Sequence, residues 1–170
     1  TSKLLERQSR DCRGKPTVEA DVPREDGTLG RDAAPSGAST VSDEAHERRD
    51  GGPAFGGKGV NQAVEHVNSE IAAAVTGLDP DDQEALDQVL IDLDGTPNKG
   101  RLGANAILAV SLAAAKASAL SHDEPRWEHV QHLAPGIQDP LLPLPMMNII
   151  NGGQHAPGPT DIQEFMLLPG

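Results

Sequence analysis

The sequence predicts an α+β fold, in which an antiparallel β-hairpin or meander precedes a run of helices. Residues 15–22 alternate apolar and polar side chains, which is the pattern of a half-buried strand. Asp26-Gly27 follows as a tight-turn signal. Apolar residues at helical spacing then recur between residues 59 and 120. Strands followed by helices are typical of an α+β domain.

The predicted hairpin joins residues 15–22 to a second strand at residues 28–31 through the turn at Asp26-Gly27. A loop is expected at residues 35–40, because small residues with Pro and Gly disfavour regular structure. Residues 41–57 are charged and then rich in glycine, and we expect a further loop there with at most one helical turn.

A first helix is predicted from Gly59, because apolar residues recur at spacings of three and four and so share one face. Gly77 is expected to end this helix, since glycine accepts the left-handed conformation that closes many helices. The predicted buried face consists of Val60, Val64, Val67, Ile71 and Ala74.

The second predicted helix has a clear start signal. Asp79 can accept hydrogen bonds as the N-cap, and Pro80 suits the first helical position. Residues 94–98 contain Gly and Pro, and we expect them to end the helix. Its predicted buried stripe consists of Leu86, Val89, Leu90 and Leu93.

Two more helices complete the predicted domain. Residues 104–120 are apolar nearly all round, so this helix is expected to be central. Residues 125–133 predict a short fourth helix. Prolines then become frequent, and a new apolar strand follows them. We therefore expect one domain at residues 1–134, and a linker with the start of a second domain at residues 135–170.

Composition limits the partners and the compartment. The formal net charge of −12 makes nucleic acid an unsuitable partner, because phosphates would be repelled. The single cysteine, Cys12, excludes an internal disulfide and suits a reducing, cytoplasmic compartment. The charge-free run at residues 102–115 is too short to span a bilayer, so we expect a buried helix and no membrane span. The chain starts with Thr1, which is consistent with a partial sequence.

Three motifs have both a structural and a functional interpretation. Residues 52–59 nearly match a phosphate-binding P-loop, but Gly59 stands where the motif needs Ser or Thr, so a structural turn is the better interpretation. Residues 36–40 could form an ordinary polar turn, or could offer hydroxyl and carbonyl oxygens to Mg²⁺. Asp92 and Asp94 could bind a metal or could simply end the second helix.

His155 and Glu164 are the candidate catalytic residues near the end of the chain. His155 follows the apolar run and Asn-Gly-Gly of residues 145–153, and Glu164 starts a second apolar stretch. A solvated histidine and a salt-bridged glutamate are one interpretation. The other is that strand, loop and strand bring both side chains to the same end of a barrel, where active sites lie.

Longer motifs resemble a known family. Residues 11–19 read Asp-Cys-Arg-Gly-Lys-Pro-Thr-Val-Glu, and residues 35–40 read Pro-Ser-Gly-Ala-Ser-Thr. Further matching motifs lie at residues 93–99, 102–108 and 145–166. In this order they closely resemble enolase, the glycolytic dehydratase, from about Leu5 to the end of the chain. So many matches in one order make chance implausible.

The resemblance implies an α+β N-terminal cap domain and the truncated start of a β/α barrel. Enolases convert 2-phosphoglycerate to phosphoenolpyruvate and water, with a lysine base and two Mg²⁺ ions that stabilise the enediolate. The base and the three carboxylate ligands of the first Mg²⁺ would lie beyond Gly170. We therefore expect the chain to hold only the lid and one corner of the site, in a homodimer or a higher homo-oligomer.

Site residues are also implied by the resemblance. Ser39 would bind the second Mg²⁺ when its loop closes, and Gly37, Ala38 and Ser39 would contact the phosphorylated carboxylate substrate. His155 would help bind the polar groups of the substrate. Glu164 would lie near the departing hydroxyl.

Three departures from the family leave alternatives open. Val41 replaces the Gly that follows the loop, residues 157–159 replace a polar stretch with Pro-Gly-Pro, and Lys15 replaces Asn. The changes at Val41 and at residues 157–159 suit an enolase-like paralogue that acts on a related phospho- or phosphono-carboxylate. A non-catalytic binding protein that retains the enolase cap is the third hypothesis.

Overall fold

A computed structural model describes residues 4–37, 41–134, 136, 140–153, 155–156, 158 and 160–170. The chain divides into two compact units. The first comprises Thr1–Ser36 and Glu44–Pro135, and the second comprises Gly37–Asp43 and Gly136–Gly170.

The first unit contains a three-stranded antiparallel meander. Its strands are β1 (Leu5–Arg10), β2 (Pro16–Pro23) and β3 (Leu29–Ala33), in the order β1-β2-β3. The predicted hairpin corresponds to β2 and β3. Strand β1 was not predicted from its own residues, because they are mostly polar and show no alternation of apolar side chains.

Helix α4 (Ala104–Ser121) is central, as predicted, and packs against β2 and β3. Small alanines let the strands come close, and Gly30 of β3 lies directly against the helix backbone. By length and composition this helix could cross a membrane, but 67% of it is buried inside the protein. It is therefore the core helix of the first unit.

The first predicted helix is observed in three continuous parts. Helix α1 (Asn61–His66) runs through a π turn (Val67–Ile71) into α2 (Ala72–Val75). The prediction that Ala74 belongs to the buried face is wrong, since Ala74 is half-buried and Val75 is fully buried. The wider winding of the π turn keeps residues four apart on one face. The buried face consists of Val60, Ala63, Val67, Ile71 and Val75, with Val64 partly buried.

Helix α3 (Gln83–Asp94) starts later than predicted. Its N-cap is Asp82, whose carboxylate accepts a hydrogen bond from the Ala85 amide at 3.1 Å. The prediction of Asp79 as N-cap and Pro80 as first helical residue is therefore wrong. The Asp79 carboxylate instead accepts a hydrogen bond from the Asp81 amide, which makes a local turn before the helix. The helix ends at Gly95, whose φ is 67°.

The carboxylate of Asp94 organises the turn after α3. It accepts hydrogen bonds from the amides of Thr96 at 3.0 Å and Leu102 at 2.7 Å. Burial raises the pKa of Asp94, but a hydrogen bond from the Thr96 hydroxyl and the two amide hydrogen bonds outweigh it and hold the pKa below its usual value. This arrangement favours the structural interpretation of Asp94 over a metal ligand. Helix α5 (Arg126–His132) follows α4 within the predicted range.

The side chain of Asn68 covers the outer edge of β1, the edge that does not face β2. Its Oδ1 accepts a hydrogen bond from the Glu6 amide at 3.0 Å, and its Nδ2 donates to the Glu6 carbonyl at 3.1 Å. One amide side chain thus satisfies both main-chain groups, as a neighbouring strand would. The contact holds β1 against the π turn between α1 and α2.

We expect Asn68→Ala to lower the free energy of unfolding by about 1–2 kcal/mol, because two main-chain groups lose their partner. Ser69→Ala is the matched control, since the Ser69 hydroxyl is exposed and donates to the Glu65 carbonyl of its own helix. Urea unfolding measures both variants. Equal stability of the two variants would show that Asn68 does not fasten β1.

Candidate functional site

The second unit contains an antiparallel strand pair that carries the candidate catalytic residues. Strand β4 (Met147–Asn151) pairs with β5 (Glu164–Leu167), with a register irregularity between Asn148 and Ile150. Asn151, the last residue of β4, pairs with Glu164, the first residue of β5. The turn between the strands therefore begins after Asn151 and ends at Glu164, and these two residues lie side by side.

Glycines shape the turn after β4. The Gly152 amide donates to the Gln163 carbonyl at 2.9 Å, and the Gly153 amide donates to the Thr160 carbonyl at 3.0 Å. A Cβ on Gly152 would lie 2.5 Å from the Thr160 carbonyl oxygen, so a side chain is excluded there. The chain then turns back, and the His155 amide donates to the Gly152 carbonyl. Asn-Gly-Gly thus places His155 close to the start of β5.

His155 and Glu164 face each other across this turn. His155 Nδ1 lies 3.8 Å from Glu164 Oε1, and each side chain is about one-quarter exposed. The structure therefore brings the two residues together, which is one of the two arrangements that the sequence left open. Half-buried groups of this kind can bind polar atoms of a ligand and exchange a proton with it.

Gln163 is a site residue that the sequence did not indicate. Its Nε2 lies 2.7 Å from His155 Nε2. With the amide donating, His155 Nε2 is the acceptor, and the proton of a neutral ring sits on Nδ1, which faces Glu164. The only signal in the sequence is that Gln163 directly precedes Glu164. Its role depends on the turn that returns His155 to this point.

The predicted binding loop is described up to Gly37, which is exposed. Ala38, Ser39 and Thr40 lie outside the described residues. Arg13 donates to the Ser36 carbonyl at 2.7 Å, and Arg49 donates to the Ser36 hydroxyl at 3.2 Å. Both arginines were missed by sequence reasoning, because Ser36 is 23 residues from Arg13 and 13 residues from Arg49.

Asp11 holds Arg13 in place. Its Oδ1 accepts hydrogen bonds from the amides of Arg13 at 2.9 Å and Lys15 at 2.8 Å, and its Oδ2 pairs with the Arg13 guanidinium. Desolvation raises the pKa of Asp11, but these hydrogen bonds outweigh it and lower the pKa below its usual value. The opening motif therefore forms a stable turn that directs Arg13 to Ser36.

Comparison with known families decides the assignment. Residues 2–130 match the family model described as the N-terminal domain of enolase, and residues 139–170 match the one described as the C-terminal TIM barrel domain of enolase. The chain belongs to the enolase family. The predicted fold, an α+β cap followed by the start of the enolase barrel, is confirmed. Enolases are lyases, so membership places the chain in a lyase-type enzyme family.

Enolases generally use Mg²⁺. Among the residues that the structure describes, no group of three or more His, Cys, Asp or Glu side chains could hold a metal ion. The carboxylate of Asp92 accepts a hydrogen bond from Gln88, and that of Asp94 is used in its turn.

Proposed function

We propose that this protein acts as a Mg²⁺-dependent enolase that converts 2-phosphoglycerate to phosphoenolpyruvate and water. The observation that carries the proposal is the approach of His155 to Glu164 at 3.8 Å, at the end of a strand pair in the region matched to the enolase barrel. The match to the enolase cap supports the same reaction. The reaction removes a proton beside a carboxylate and expels hydroxide.

Glu164 is proposed to assist the departing hydroxyl. Hydroxide is a poor leaving group, so a carboxyl group that supplies a proton to it lowers the barrier. His155 is proposed to bind a polar group of the substrate, with its ring oriented by Gln163. Gly37, Ala38 and Ser39 are proposed to contact the substrate, and Ser39 is the proposed loop ligand of Mg²⁺.

The cellular and quaternary assignments belong to the same proposal. We propose a cytoplasmic protein of the glycolytic route that assembles as a homodimer or a higher homo-oligomer. Family membership supports these assignments. Light scattering of the purified protein measures the assembly, and a monomer at micromolar concentration would contradict the proposed oligomer.

The proposed reaction is tested with the protein expressed from its full coding region. Purified protein is incubated with 2-phosphoglycerate and Mg²⁺, and phosphoenolpyruvate is measured. We expect its formation to stop when a chelator removes the metal. If a folded protein forms none but dehydrates a related phospho- or phosphono-carboxylate, the paralogue hypothesis holds. No turnover of either substrate favours a binding protein.

We expect Glu164→Gln to lower kcat about a hundredfold with little change in KM, because the amide cannot supply a proton to the leaving group. Steady-state kinetics on 2-phosphoglycerate measure the effect. Asp161→Asn is the matched control, since this exposed carboxylate lies in the same turn region. Equal kcat in the Glu164→Gln variant and the wild type would remove Glu164 from the mechanism.

A further inference from the structure

Four cationic side chains lie together where the β1–β2 turn meets the glycine-rich loop of residues 51–59. Arg49 ties these two segments, because its Nη1 donates to the carbonyls of Pro16 and Lys58, each at 2.7 Å. Lys15 directly precedes Pro16, so the tie holds Lys15 and Lys58 in neighbouring positions. Arg13 completes the group, which we call the basic cluster: Arg13, Lys15, Arg49 and Lys58.

The two arginines of the basic cluster are neutralised, and the two lysines are not. Arg13 pairs with Asp11 at 2.9 Å, and Arg49 pairs with Glu47 at 2.5 Å. Neither Lys15 nor Lys58 forms an ion pair with any residue that the structure describes. The cluster therefore carries a surplus of two positive charges, in a protein whose formal net charge is −12.

The two lysines repel each other. The charge of Lys58 is the main reason that the pKa of Lys15 lies below its ordinary value; the charge of Arg13 adds to the effect, and the nearby charge of Asp11 only partly offsets it. Like charges that the main chain holds in neighbouring positions are unfavourable without a counter-charge. An anion bound between the two ammonium groups would remove this repulsion.

We propose that Lys15 and Lys58 form a binding site for a small dianionic oxyanion of the phosphate-monoester class. Two ammonium groups offer six N–H donors and two charges, which match the charge and acceptor oxygens of a phosphate dianion. A monoanionic carboxylate would leave one lysine uncompensated. The protein as a whole repels anions, so affinity must come from the cluster itself.

Lys15→Asn is a suitable test variant for this site, because the resemblance to enolases places Asn at this position. The substitution removes one of the two lysine charges. Lys58→Gln removes the other charge at an exposed position. Lys116→Gln, in helix α4, removes a partly exposed charge outside the basic cluster and is the matched control.

The experiment is a calorimetric titration of the full-length protein with inorganic phosphate at constant ionic strength, with acetate as the second probe. We expect saturable phosphate binding that Lys15→Asn and Lys58→Gln each weaken about tenfold, and that Lys116→Gln leaves unchanged. Circular dichroism confirms that each variant is folded. Acetate should bind at least tenfold more weakly than phosphate.

Four results would overturn the assignment: no saturable phosphate binding, equal binding by the lysine variants and the wild type, equal weakening by Lys116→Gln, or acetate binding as tightly as phosphate. If only one lysine variant fails to fold, the other decides the question. The inference does not rest on the proposed reaction, because binding is measured without turnover. Enolase activity with no phosphate site, or a phosphate site with no activity, separates the two proposals.

Discussion

Gly30→Ala is expected to lower the free energy of unfolding by about 3 kcal/mol, the upper end of the usual cost of overpacking a core. Gly30 lies in β3 where that strand packs on α4. A Cβ there would lie 2.5 Å from the Ala117 amide nitrogen and would overlap the Ala113 carbonyl oxygen. Both atoms belong to the helix backbone, so no side-chain rotation can make room, and strand and helix must move apart.

Chemical denaturation of Gly30→Ala against Gly100→Ala tests this expectation. The nearest atom to a Cβ on Gly100 is the amide oxygen of the exposed side chain of Asn98, which can rotate away. Gly100→Ala should therefore change stability by less than about 0.5 kcal/mol. A Gly30→Ala variant as stable as Gly100→Ala would show that the sheet does not rest directly on α4.

Glu6→Gln is expected to raise the free energy of unfolding by about 3 kcal/mol at pH 7. Glu6 is 8% exposed, and neither carboxyl oxygen has a hydrogen-bond partner among the described residues. Burial raises the pKa of Glu6 from 4.5 to about 10, so the folded protein carries this carboxyl in its neutral form. The unfolded chain ionises it, and that difference favours unfolding at neutral pH.

The sign of the pH dependence follows from these two pKa values. The contribution of the Glu6 carboxyl to the free energy of unfolding is fully present below pH 4.5, where the carboxyl is neutral in both the folded and the unfolded chain. This contribution is lost as the pH rises toward 10, because the unfolded chain then ionises the carboxyl. Within that window, wild-type stability should fall by about 1.4 kcal/mol for each pH unit because of Glu6. Glutamine has nearly the same shape and no charge, so the variant should lose this slope while retaining the same burial.

Urea unfolding at pH 5, 7 and 9 measures the slope, with Glu19→Gln as the control. Glu19 lies on the adjacent strand and is paired with Arg7 at 2.7 Å. Asp26 and Asp81 stay ionised between pH 5 and pH 9. A hydrogen bond from Ser121 holds the pKa of the Asp26 carboxyl near 2, and one from Arg24 does the same for Asp81. The same pH slope in Glu6→Gln and the wild type would show that Glu6 is ionised in the folded protein.

The sequence predicted those elements whose signal is local. The hairpin of β2 and β3 followed from alternation and an Asp-Gly turn, and α4 followed from a long apolar run. Strand β1 gave no such signal, since its position depends on pairing with β2 and on Asn68, 62 residues from Glu6. The prediction started α3 too early, because Asp79 and Asp82 have the same side chain and either could cap a helix. Only the structure shows that Asp79 forms a local turn and that Asp82 is the N-cap.

The residues of the candidate site also divide into those that the sequence indicated and those that only the structure revealed. His155 and Glu164 could be selected from the sequence, because their residue types and the Asn-Gly-Gly turn are visible there. The sequence offered no reason to select Gln163 beside His155 or Arg49 between Pro16 and Lys58. It also offered no sign that the carboxyl of Glu6 is buried.

The sequence by itself determined the family and the order of most elements, since short motifs and side-chain periodicity encode these. It also made His155 and Glu164 candidate site residues. Only the tertiary structure decided which polar groups are paired, buried or left with surplus charge. Those properties depend on the distances between segments far apart in the chain, and the sequence order of the residues does not contain them.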